Sequence, residues 1–431
     1  MADPEQHADF VYDQIEQHHD LFGTGLPMIA SENCISPTAR RLLASDFHDR
    51  YAEGRPGKRY YQGLEHVDEV ERRCEQLAGE LFDAAYTDTR PTAGTTANMA
   101  VFFARTEPGD TVLTLDTDDG AHISHAPIGA AGLRGLNVEK LPADPDRLTV
   151  DADRAAEQIR EVEPDVVLLG QSLFLFPAPV EQLAGPAAEV GADLVYDGAH
   201  VLGLIGGGQF QDPLREGADV VTASTHKTLP GPQGGIVLSD KDPEEAESFT
   251  DGLDKGVFPG TVSNHHLHHM AAKTVAFAEH LAFGEDYAEA IVESSQALAG
   301  ALAERGLTVL CEEHGYTESH QVAVDVGDHG GGKQLAQRLE EAGIICNMNM
   351  IPGDENPLDP SGLRLGTQEL VRTGMGPDEM DQVAEFYARV ILKDETPDSV
   401  AEDVAAFADR FDEVHYCFDP GQEAYRFWEL S

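Results

Sequence analysis

The sequence predicts an α/β fold in two lobes, the larger built on a mostly parallel sheet and the smaller following it. Three observations support this. Five short, continuously apolar runs alternate with helix-length amphipathic intervals: D-T-V-L-T-L-D from Asp110, P-D-V-V-L-L-G from Pro164, A-D-L-V-Y-D from Ala192, A-D-V-V-T-A-S from Ala218 and G-G-I-V-L-S-D from Gly234. Strands that are apolar on both faces and separated by helices belong to a parallel sheet covered on both sides. The chain, at 431 residues, is longer than one core usually supports. Finally, a second set of strand and helix signals begins after a long helical segment from Asn264 to Phe283.

Taken in order, residues 1–40 read as an N-terminal helical arm, 41–282 as the large domain and 283–431 as the small C-terminal domain. Gly94-Thr95-Thr96-Ala97-Asn98 precedes the helical run M-A-V-F-F-A-R, so its N–H groups and hydroxyls face outward from a helix N-terminus, a setting suited to phosphate. Asp197, His200, Thr225 and Lys227 fall at or just past strand ends, where ligands bind in such sheets. In the small domain, L-T-V-L, H-Q-V-A-V-D-V, a helix near Lys333 to Ala342 and S-G-L-R-L-G-T lead into acidic helices. An aromatic tail follows, with Trp428 expected to dock on the body.

Formal net charge is −49, spread along the chain. Such a surface repels nucleic acid and anionic membranes, which excludes both as partners. The composition resembles that of proteins from salt-loving organisms, where cations screen self-repulsion. There is no apolar run of membrane-spanning length and no signal-peptide pattern at the start, so a cytoplasmic location is expected. Five widely spaced cysteines without a C-x-x-C read as reduced, buried thiols.

The stretch S-T-H-K-T-L-P-G-P-Q-G-G, Ser224 to Gly235, places Lys227 where the backbone tightens after a strand. A lysine with suppressed charge can form a Schiff base. Asp197 ends another strand, placed to hold a proton on a heterocyclic nitrogen. Phosphate cradle, strand-end Asp and strand-end Lys are the parts that seat pyridoxal 5'-phosphate.

Several blocks then carry a family resemblance: I-A-S-E-N from Ile29, Y-A-E-G-R-P-G-K-R-Y-Y-Q-G from Tyr51, D-G-A-H-V-L-G-L-I from Asp197, T-H-K-T-L-P-G-P-Q-G-G from Thr225, V-F-P-G from Val257 and S-G-L-R-L-G-T from Ser361. Together they resemble serine hydroxymethyltransferases, in order, from about Leu26 to Gly374. The resemblance implies a fold-type-I pyridoxal phosphate enzyme with a mostly parallel seven-stranded sheet, acting on serine and glycine with tetrahydrofolate as co-substrate. It also implies a homodimer with shared active sites, which can pair into a tetramer. Lys227 then matches the cofactor-binding lysine, beside His226. His122 matches the imidazole stacked on the cofactor ring, Ser172 and His200 its neighbours, and Asp197 the partner of the ring nitrogen. Gly94, Thr95 and Thr96 stand at the phosphate, joined by Gly260 from a neighbouring subunit. Arg364 matches the group that grips the substrate carboxylate. Ser31, Tyr51, Glu53, Tyr60, Tyr61 and Asn349 match residues around the substrate hydroxyl and pterin, with Tyr51 and Glu53 from the partner subunit. Glu53 and Tyr61 join Lys227, His122 and Asp197 as catalytic candidates.

The pattern departs from the family at Gln233, where arginine is usual, and at Thr96, Thr117, Ala121 and the Thr261-Val262-Ser263 run. Two alternatives follow: a folate-independent β-hydroxy amino acid aldolase or transaldolase on the same scaffold, and a catalytically silent paralogue with a binding or regulatory role. His265 and His269, spaced i and i+4 in S-N-H-H-L-H-H, have metal-ligand spacing, but no third ligand is fixed by sequence and no metal is expected.

Overall fold

Seven strands form the central sheet: β1 Tyr86–Asp88, β2 Thr111–Thr114, β3 Asn137–Lys140, β4 Val166–Leu169, β5 Asp193–Asp197, β6 Val220–Ser224 and β7 Gly235–Ser239. Across the sheet they run β1-β7-β6-β5-β4-β2-β3. All neighbours are parallel except at β7, which is antiparallel to both β6 and β1. These coordinates are a computed structural model that describes residues 4–427; the expected docking of Trp428 lies outside the described residues.

Alternation along the strands explains the double burial. Leu113, Val167, Leu169, Leu194 and Tyr196 enter one apolar cluster with Cys74 and Phe277, while Val112, Val166, Leu168, Val195 and Val220 enter another with Ala97 and Val101. The carboxyl ends of β2, β4, β5 and β6 therefore open onto one edge, with helices sealing both faces.

Helix α1 (Glu5–Gly23) has no buried residue. Helix α2 (Gly94–Arg105) covers one face of the sheet. Helix α3 (Leu267–Glu304) runs 38 residues, well past the expected end at Phe283. Beside that point the chain passes close: a Cβ on Gly207 would lie 2.4 Å from the Gly284 carbonyl oxygen, so the approach requires glycine at 207. The boundary expected at 282/283 thus falls inside one continuous helix.

The small lobe has an antiparallel sheet, β8 (Thr308–Val309), β9 (Gln321–Asp325), β10 (Asn347–Asn349) and β11 (Gly362–Gly366), ordered β8-β9-β11-β10. Leu26–Pro27, expected in the N-terminal arm, pairs with Ile344–Ile345, and Leu26 and Met28 join the core of this lobe. The segment carrying Ser31 is thereby fixed to the lobe carrying Arg364. Cys34, Cys74, Cys346 and Cys417 are free and buried, and Cys311 is free and half-buried. Among the described residues no helix is long and apolar enough to cross a membrane.

Candidate active site

Beyond β6 the chain folds into a loop closed on itself: the Thr225 N–H donates to the Gly234 carbonyl at 3.1 Å, and the Thr225 hydroxyl to the Pro232 carbonyl at 2.9 Å. Lys227 is buried in that loop, and its amine has no ion-pair partner among the described residues. Burial lowers its pKa to about 8, which leaves a useful fraction neutral near physiological pH.

A cavity of about 380 Å³ opens beside it. Of the residues singled out from sequence, Ser31, Gly94, Thr95, His122, Asp197, His200, His226 and Lys227 line it together. Gln233 lines it as well, and so do Glu32 and Gln171, which the sequence had not marked. Burial raises the pKa of Glu32.

Helix α2 begins at this cavity, and a Cβ on Gly94 would fall 2.5 Å from Ser224 Oγ, so only glycine lets the helix start this close to β6. The exposed N–H groups of that first turn favour an anion. Asp197 lines the same cavity. Its Oδ2 accepts from Asn98 Nδ2 at 2.6 Å and lies 3.0 Å from His125 Nε2, and its Oδ1 accepts from the Ala199 N–H at 2.9 Å. Burial alone would raise this carboxyl's pKa, but the bonds from His125 and Asn98 outweigh it and hold the group well below the usual carboxylate range.

The imidazoles are held neutral. Burial lowers the pKa of His122 to about 4, and its Nδ1 accepts from the Ser124 N–H at 3.2 Å. His226 is lowered to about 4 by burial, and its Nδ1 has no hydrogen-bond partner among the described residues. Burial and the Lys227 charge hold His200 far below its ordinary value; its Nδ1 lies 2.9 Å from the Gln321 amide.

Other candidates lie elsewhere. The Thr96 hydroxyl is engaged within its own helix start, accepting from the Ala93 N–H at 2.9 Å and donating to the Ala93 carbonyl at 2.7 Å. Ser172 contributes its carbonyl, which accepts from Arg364 Nη1 at 2.8 Å and Gln321 Nε2 at 3.1 Å. Arg364 is buried, its pKa lowered by burial to about 10, and its Nε donates to Asn347 Oδ1 at 3.2 Å. The Asn349 amide donates to the Met350 carbonyl at 2.6 Å. Tyr51, Glu53, Tyr60, Tyr61 and Gly260 do not line the cavity of their own chain; Tyr51, Tyr60 and Tyr61 are exposed. The histidine cluster is spent on structure: His265 Nε2 lies 3.0 Å from Glu71 Oε2, and His269 Nδ1 lies 2.7 Å from the Gln233 carbonyl. Among the described residues there is no group of three or more side chains that could hold a metal.

The cavity fits pyridoxal phosphate. Its anion-favouring end lies at Gly94 and Thr95, its ionised carboxylate at Asp197, its amine at Lys227, and the buried His226 Nδ1 lacks a partner among the described residues.

Comparison with known proteins agrees with this geometry. The family model for serine hydroxymethyltransferase matches residues 5–387. The chain is 54% identical over 419 residues to a serine hydroxymethyltransferase of Methanopyrus kandleri, covering 97% of this chain and 96% of that protein. It is 52% identical over 420 residues to one of Pyrococcus furiosus, covering 96% and 98%. Among solved structures, the L-threonine transaldolase of Pseudomonas fluorescens superposes with a TM-score of 0.88 at 30% identity, covering 96% of this chain and 94% of that one. The fold is that of the fold-type-I pyridoxal phosphate transferases, and the chain belongs to the serine hydroxymethyltransferase family.

Proposed function

We propose that this protein is a glycine hydroxymethyltransferase dependent on pyridoxal phosphate. It interconverts serine and glycine and passes the hydroxymethyl carbon to tetrahydrofolate. The observation that carries the reading is the convergence of Lys227, Asp197 and the α2 N-terminus on one cavity, in a chain of this family.

Bound there, pyridoxal phosphate supplies an aldehyde that captures amines and a ring that withdraws electrons from the substrate α-carbon. The protein's own residues do the rest. Lys227, neutral part of the time, is the amine that would hold the cofactor's aldehyde and give way to the substrate amine. Asp197, kept ionised, holds a proton on the ring nitrogen. His122 packs as a neutral ring. Arg364 takes the substrate carboxylate, which its planar fork suits. Glu53 moves the proton at the hydroxymethyl group.

The position of Tyr51, Glu53, Tyr60, Tyr61 and Gly260 outside their own chain's cavity is accounted for by a homodimer in which each subunit completes its partner's site. Two lobes joined by the continuous helix α3, with the segment at Leu26–Met28 belonging to the small one, fit this reading.

A second reading has one observation in its favour. One similar solved structure is an L-threonine transaldolase, so a folate-independent reaction of 3-hydroxy amino acids on this scaffold is the alternative. The higher identity to the named hydroxymethyltransferases favours the first reading. Serine-to-glycine turnover measured with and without tetrahydrofolate tests it: strong dependence on the folate supports the transferase, and equal rates overturn it.

A further inference from the structure

A closed set of hydrogen bonds ties the Lys227 loop to the lobe that carries Arg364. Asn33 Nδ2 donates to the Lys227 carbonyl at 2.6 Å and to the Tyr287 hydroxyl at 2.9 Å. Tyr287, buried on α3, donates in turn to the Gln368 carbonyl at 2.7 Å. Gln368 opens the short helix α4 (Gln368–Arg372), just past the strand that carries Arg364. Its side-chain amide donates to the carbonyls of Ile29 at 2.8 Å and Glu32 at 2.7 Å. Those two residues bracket the turn that places Ser31 on the cavity, and Asn33 follows it. The Arg364 strand touches the same segment: the Gly366 N–H donates to the Met28 carbonyl at 2.8 Å, and a Cβ on Gly366 would lie 2.6 Å from Ala30 Cα.

None of Asn33, Tyr287 and Gln368 lines the cavity, so each acts through other residues. We propose that these three are positioning residues that set the separation and angle between the Lys227 amine and the Arg364 guanidinium. The inference rests on the reading that the substrate amine takes the place of the Lys227 amine while Arg364 holds the substrate carboxylate. Lys227 has to release and recover its covalent partner in each turnover, so its side chain moves while its backbone stays fixed. The Asn33 bond to its carbonyl holds that backbone. Buried polar networks of this kind are stiff when satisfied, and small errors in placement of reacting groups are costly in rate.

The test uses the full chain loaded with pyridoxal phosphate, with three measurements: glycine affinity by calorimetry, the pH midpoint of the cofactor's visible absorption, and the unfolding midpoint. Tyr287→Phe removes one hydroxyl and keeps the ring. It should weaken glycine binding by about fivefold to tenfold, the scale of one lost buried hydrogen bond, and shift the absorption midpoint, which reports on Lys227. Asn33→Ala should do the same, and the double variant should fall clearly short of the sum of the two, showing coupling. If Asn33→Ala does not fold, Tyr287→Phe decides alone. Glycine affinity within twofold of wild type and an unshifted midpoint in Tyr287→Phe would overturn the proposal. Arg364→Lys separates the two levels: weakened glycine binding upholds the carboxylate reading whatever the other variants do, and wild-type binding defeats that reading and this inference with it.

Discussion

Asn98 Nδ2 and Asp197 Oδ2 lie 2.6 Å apart, and the orientation of that amide is not free. An ionised carboxylate only accepts, so the amide nitrogen must face it, and Asn98 Oδ1 is left to accept the Thr222 hydroxyl at 2.5 Å. With His125 on the same oxygen, a fully buried carboxyl is kept ionised, which is the state a ring-nitrogen partner requires.

Asp197→Asn keeps the shape and removes that charge. Serine turnover should fall on the order of 10²-fold to 10³-fold, the scale of losing one preorganised electrostatic group, with little change in the unfolding midpoint. Steady-state kinetics of the purified variant checks this, and near-normal turnover would contradict it.

The Lys227 amine has a pKa lowered by burial from 10.5 to about 8. Between those values the unfolded chain still binds a proton there and the folded chain has lost it, so stability rises with pH across that window. Below pH 8 the cofactor-free fold carries the full cost of a buried charge. Lys227→Met should therefore stabilise the cofactor-free protein at pH 7 by about 3 kcal/mol. The gain should shrink from pH 8 upward and vanish above 10.5. Urea unfolding across this range reads it out; a pH-independent difference would refute the assignment.

A net charge of −49 calls for screening. Dialysis to low ionic strength should cause loss of far-UV circular dichroism and of activity, because the Debye length then exceeds the spacing of surface carboxylates. Unchanged ellipticity without salt would remove the salt-adapted reading.

If Glu53 serves its partner's cavity, two inactive proteins can restore one another. Lys227→Ala and Glu53→Gln, unfolded together and refolded as a mixture, should recover roughly a quarter of wild-type activity, since half the dimers are mixed and each has one intact site. Activity no greater than that of the separate variants would show that each site is built from one chain.

Lys227, Asp197 and the start of α2 were legible because each sits at an element end that the apolar periodicity marks. Asn347 was not. It faces Arg364 through the register of β10 against β11, and a slip of one residue would turn the other face of the strand toward it. Asn98 and His125 were passed over because their partner, Asp197, is distant in sequence and reaches them only across the folded sheet. Thr96 was read as a phosphate ligand, yet its hydroxyl is three residues past Ala93, where a side chain folds back on the helix start. Helix α3 runs on past Phe283 to Glu304, beyond the segment read as helix from sequence.

The most direct test of the proposed transfer reaction is the effect of Glu53→Gln on two reactions run side by side. Transfer from serine to tetrahydrofolate needs a group that moves protons at the hydroxymethyl carbon. Cleavage of allo-threonine releases its aldehyde directly and needs less help. The variant should lose serine–tetrahydrofolate turnover by about 10²-fold or more, the usual scale for a lost general acid or base, while allo-threonine cleavage falls far less. A wild-type protein that shows no folate-dependent turnover yet cleaves allo-threonine well would contradict the transferase and establish the aldolase in its place.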